Sequence, residues 1–254
     1  MRCSASAKEF FMRDNMKGEF PGYDFCLTGA AIPSLLGISP WESRRELFRR
    51  LTIGQERKNV TWEMRRGMEF KGTIFKTFSE SSPSAVLTRN PFNNHKKFYV
   101  DAEGYHGIGG LVDAFLINRK TKNVSAGLTV RTAGLSMVGY WADYPSPIHV
   151  AQSLFYSGLC GGMPWVISVM LFRPDPMRNN EERIPFEVRN FWMKFDGTLF
   201  DHIFEKARTF WMHNVLRRIE PEDVDTTETE TLLNNYIKRM TAVLRITPPF
   251  AKKR

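Results

Sequence analysis

The sequence is short of cysteine: Cys3, Cys26 and Cys160 are the only three in 254 residues, and they stand far apart with no CxxC pair. An odd, scattered set excludes a disulfide framework and a cysteine zinc site, and favours an intracellular, reducing compartment. Long apolar runs are missing as well. None approaches the roughly 18 residues of a membrane span, so no membrane partner is expected. Histidine is sparse, and His95, His106 and His149 lack metal-ligand spacing and read as incidental. No internal repeat or low-complexity tract is present. The opening "MRCSASAKEFFMRDN" mixes Arg, Lys and small residues with Glu9 and Asp14. That is a poor secretory signal and an ambiguous mitochondrial one, which leaves mitochondrion or nucleus open.

Acid is the other shortage. Twenty-seven Asp and Glu face 36 Lys and Arg, giving a net charge of +9 and a pI of about 9.6. From Ala114 to Pro174 the only acidic residue is Asp143. A surplus of this size points to phosphate-bearing partners, DNA, RNA or a ribonucleoprotein, against the plainer reading of a solvated basic surface. What the chain has in quantity is large packing residues, 20 Phe and 6 Trp.

The patterning predicts an irregular or partly helical lead-in over 1–26. A short helix follows, capped by Thr28 and ended by Gly37, and then a helix "RRELFRRL" capped by Ser39 or Ser43. Residues 61–80 carry apolar side chains at helical spacing, and 81–97 read as a polar loop. A strand pair is expected at about 108–117 and 125–132, joined by the basic turn "NRKTKN". A helix over "PIHVAQSLFYSGL" comes next, then a buried strand "PWVISVMLF" and a strand "FEVRNFWMKF". A long amphipathic helix starts at "GTLFDHIFEK", and a last helix lies near 226–245. The order describes a mixed α/β (α+β) plan.

These segments resemble, in order, the viral-recombinase (YqaJ) family of lambda-exonuclease-like nucleases, a branch of the PD-(D/E)XK fold. "LTGAAIPSLLGISPWESRRELF" resembles that family's opening, with "LLGISPW" the most specific piece. "RRGMEFKGTIFKTF" resembles its helix with a carboxylate, "LVDAFL" its PDG strand, "LTVRTA" its LEIKTA strand and "HVAQSLFY" its QxxxY helix. The resemblance covers residues 22–216. It implies a restriction-endonuclease-like core, a central mixed sheet flanked by helices. It also suggests an N-terminal extension over 1–21, a nuclease-like domain over 22–218, and a linker, helix and basic tail over 219–254.

In that family two carboxylates hold Mg²⁺ or Mn²⁺, and a lysine activates the attacking water. The resemblance places Asp113 and Glu69 at metal-ligand positions. Thr129 stands where the strand glutamate belongs, Arg131 where the lysine belongs, and Ala30 where a phosphate-contacting serine is usual. The expectation is therefore a catalytically impaired or inactive exonuclease-like protein that needs no cofactor and serves as a nucleic-acid or ribonucleoprotein binding module. Asp113, Glu69 and Arg131 would be its remnant site, with Asp113 paired to Arg131 or another base. Arg131, Thr129, Gln152, Tyr156, Thr28, Lys120 and Lys122 are the candidate nucleic-acid contacts. For Gln152 and Tyr156, structural hydrogen bonding is an equal alternative.

Two readings stay open beside it. One is an active Mg²⁺- or Mn²⁺-dependent 5′–3′ DNA exonuclease of the recombinase type, a homo-oligomer by family resemblance. The other is a protein-binding subunit of an organellar ribosome or its assembly intermediate.

Overall fold

A computed structural model describes residues 6–16, 21–22, 25–54, 62–82, 84–91, 97–134, 141, 144–174, 183–223, 225–240 and 243–246. Asp143 lies outside them.

Apolar alternation builds a six-stranded mixed sheet. Its strands are β2 (Ser84–Leu87), β5 (Ala114–Asn118), β6 (Val124–Gly134), β7 (Trp165–Pro174), β8 (Arg183–Met193) and β9 (Val243–Ile246), and they lie in that spatial order. β6 and β7 run parallel and the other neighbours antiparallel. Successive side chains on a strand face opposite ways, so β6 divides its residues between two cores. Leu128 and Val130 pack with Ile74 and Phe78 of helix α4 (Trp62–Ser81). Thr129 and Arg131 face helix α5 (Pro147–Leu159) on the other side.

A three-stranded sheet joins β1 (Leu27–Thr28), β4 (Tyr105–Val112) and β3 (Phe98–Ala102), in the order β1-β4-β3. Around the sheets stand α1 (Ala7–Phe11), α2 (Ile32–Leu35), α3 (Arg44–Ile53), α6 (Gly197–Thr209) and α7 (Thr227–Lys238). The larger core reaches from Phe10 and Phe11 near the N-terminus to Leu233, Tyr236 and Ile237 of α7. Both flanking segments thus pack in the same core as the central strands.

Several elements differ from the sequence-based expectation. The strand expected over 108–117 is two strands: β4 and β5 belong to different sheets, and the chain passes between them at Asp113. The expected loop at 81–97 contains β2, whose ladder to β5 only tertiary pairing could reveal. The last expected helix stops at Lys238, and 243–246 form β9 on the sheet edge. The long helix after Gly197 widens into a π-helical stretch at Phe210–Val215, with Phe210 and Trp211 buried. Ser43 caps α3 through a reciprocal capping box with Glu46. Thr28 occupies the N-cap position of a short turn at Gly29–Ala31, but its side chain makes no cap bond.

Candidate nucleic-acid interface

The break between β4 and β5 leaves Asp113 at a strand end, next to β6 and beneath α4. Its Oδ2 accepts the Val130 backbone N–H at 2.9 Å. The same oxygen stands 3.6 Å from Arg131 Nη1. Its Oδ1 meets Lys71 Nζ, from α4, at 2.5 Å. One carboxylate therefore answers two cations, which leaves a local charge of +1 on a partly exposed surface.

Glu69 is exposed on α4, two positions before Lys71. Two positions turn a helix by about 200°, so the rotation that aims Lys71 at Asp113 carries Glu69 away from it. The structure brings Asp113 and Arg131 together and leaves Glu69 apart. Among the described residues no group of three His, Cys, Asp or Glu side chains gathers in a way that could hold a metal ion.

Arg131 is held on every side. Its Nη1 donates to the Val130 carbonyl at 2.7 Å, its Nε to His149 Nδ1 at 3.3 Å, and its Nη2 to Gln152 Oε1. Gln152 is buried, so its amide positions Arg131 and is not itself a surface contact. His149 was expected to be incidental. It is instead an acceptor for Arg131, and its ring stacks on Trp141 at 5.1 Å. Burial, and then the Arg131 charge, hold the imidazole well below the ordinary histidine range, so it is neutral, as an accepting Nδ1 requires.

This depression has a sign. Between the folded value and the unfolded value near 6.5, the unfolded chain binds the extra proton. Stability is therefore full above about pH 6.5 and falls as the pH drops, by up to about 1.4 kcal/mol per pH unit from this group. Urea titrations between pH 7.5 and 5 should show the wild type losing stability faster than His149→Gln. Equal losses would place the titration elsewhere.

The other candidates sit differently. Thr129 is only 3% exposed. Its Oγ1 accepts Trp165 Nε1–H at 2.9 Å and the Ser153 hydroxyl at 3.3 Å. It faces the core beneath α5, and the expectation of a phosphate contact there gives way to a buried hydrogen-bonding role. Tyr156 is likewise buried and stacks on Trp165 at 6.1 Å. Its ring fits because Gly29 and Gly110 carry no side chain: a Cβ would come within 2.5 Å of the ring at the first and 2.6 Å of the hydroxyl at the second. Thr28 is buried against the same glycine. Packing thus claims Thr129, Tyr156 and Thr28 away from the surface. Ala30 is exposed on the turn that follows Thr28.

Lys120 and Lys122 are exposed in the turn between β5 and β6, with Lys122 in the left-handed region at φ 59°. Five strand residues separate that turn from Asp113, about 17 Å. The turn is a separate basic feature. Lys71, His149 and Trp165 were the residues that pattern alone did not single out for this site.

No helix among the described residues is long and apolar enough to cross a membrane. This is an α/β fold of the exonuclease-like kind, at a distance. The solved alkaline exonuclease LHK-Exo from Laribacter hongkongensis superimposes with a TM-score of 0.50 at 14% identity, covering 91% of this chain and 98% of that one. The same enzyme in complex with dAMP gives a TM-score of 0.50 at 14% identity, over 84% and 94%. No family model matches the sequence, and no curated protein does.

Proposed function

We propose that this chain is a nucleic-acid-binding module on an exonuclease-like fold, in which Asp113 acts as the internal counter-ion of two phosphate-facing cations. The observation that carries the reading is the double pairing of Asp113, with Lys71 at 2.5 Å and Arg131 at 3.6 Å. A hard divalent ion wants several oxygen ligands. Here one carboxylate stands among two cations, the threonine at the strand-glutamate position is turned into the core, and Glu69 faces away. That donor set does not fit Mg²⁺ or Mn²⁺.

Lys71 and Arg131 are suited to a different task. An ammonium and a planar guanidinium together bind the phosphodiester backbone without reading sequence. The net charge of +9 adds long-range attraction. The module would serve on DNA, RNA or a ribonucleoprotein as a positioning or architectural element. The LHK-Exo likeness supports the fold on which this reading is built.

One observation favours the active-nuclease reading: Lys71, delivered from α4, stands against Asp113 where a water-activating lysine would be useful. The exchange Asp113→Asn, assayed on duplex, single-stranded DNA and RNA with and without Mn²⁺, separates the two. Binding gains in the counter-ion reading, and metal-dependent cleavage disappears in the nuclease reading.

A further inference from the structure

The run "RRELFRR" on α3 gives its four arginines different surroundings. Arg44 lies over the Phe210 ring at 5.3 Å. Arg50 is held by Glu42 through two bonds of 2.8 and 3.1 Å, both side chains largely covered. Arg45 and Arg49 lie one helical turn apart and face water. Each is met by an acid from the distant segment between α6 and α7: Asp223 at 3.6 Å and Glu220 at 3.0 Å. The arginine side chains are 51% and 52% exposed.

The acidic segment is held by other means. Ile219 N–H donates to the Asn214 carbonyl at 3.0 Å, and Asn214 Nδ2 donates back to the Ile219 carbonyl at 3.1 Å. Pro221 is buried. At the far end Asp225 accepts the Thr227 N–H at 2.9 Å and leads the chain into α7. Exposed ion pairs add little to stability, so Glu220 and Asp223 are not what fastens the segment. Their larger effect is to cancel two guanidiniums that otherwise face solvent from positions i and i+4, where one helix face can present both to a phosphodiester backbone.

We propose that residues 220–223 are an acidic strap whose two carboxylates stand in for backbone phosphates on α3. The helix is thereby a second phosphate-contacting surface, opened when a nucleic acid displaces the Glu220 and Asp223 side chains. This rests on the nucleic-acid-binding reading above. It adds a self-masking contact far along the chain from the Asp113 site.

The test compares wild type, Glu220→Gln/Asp223→Asn, Arg45→Gln/Arg49→Gln and the fourfold variant in a salt series with a labelled duplex. The strap variant should bind about tenfold tighter at about 50 mM salt, with a log–log salt slope steeper by about 2. The arginine variant should bind more weakly than the wild type, because it removes the phosphate contacts and leaves both acids unanswered. The fourfold variant should lose the gain. The strap is overturned if its variant binds no tighter, or if the gain survives loss of the arginines. A lower melting temperature without tighter binding also overturns it, since the acids would then be structural. If neither wild type nor strap variant binds any nucleic acid, the reading of function falls as well. If the wild type binds and the strap variant binds equally, the strap alone falls.

Discussion

Asp113→Asn is expected to tighten binding to duplex nucleic acid about tenfold at low salt, with a log–log salt slope steeper by about 1–2. The carboxylate answers both Lys71 and Arg131. An amide of the same shape still accepts the Val130 N–H but no longer cancels the charge of Lys71 and of Arg131, the latter still positioned by Val130, His149 and Gln152. Folding stability should fall by about 1–3 kcal/mol, because two partly covered cations lose their partner. Asp201→Asn makes the same change of charge at an exposed position of α6, and it should move affinity far less. Weaker binding in Asp113→Asn, or a shift no larger than that of Asp201→Asn, would remove the counter-ion role.

The second large effect concerns Thr129. Thr129→Val keeps the shape and removes one oxygen. The Trp165 indole N–H and the Ser153 hydroxyl then lose their acceptor in a buried site. Unsatisfied buried donors cost about 1–3 kcal/mol each, so for these two a loss of about 2–6 kcal/mol is expected in urea unfolding. Thr129→Ser should recover most of it. Nucleic-acid affinity, measured where the variant is folded, should hardly change. A stable Thr129→Val protein with weakened binding would return Thr129 to the surface site.

The alternation in "GLTVRTA" was enough to place Thr129 and Arg131 on one face and Leu128 and Val130 on the other, because strand periodicity is a local property. The apolar runs of α5 and β7 were legible for the same reason, and Ser43 was one of the two cap candidates for α3. What is settled by distant contacts was not. Lys71 has a glutamate two positions away, yet it reaches an aspartate 42 residues along the chain, a choice fixed by how α4 rotates on the sheet. β2 has four residues and earns its strand conformation from β5. His149 gives no sign in the sequence that an arginine on a neighbouring strand will claim its ring nitrogen. Nothing in the run RRELFRR signals that Arg49 will meet Glu220, 171 residues further along the chain.

The central claim, that Asp113 serves two cations and not a metal, is tested most directly by titrating the wild-type protein with Mn²⁺ in a calorimeter. The account predicts no saturable heat up to millimolar Mn²⁺ and the same trace for Asp113→Ala. Stoichiometric Mn²⁺ binding that disappears in Asp113→Ala, together with Mn²⁺-dependent loss of labelled DNA ends, would contradict it.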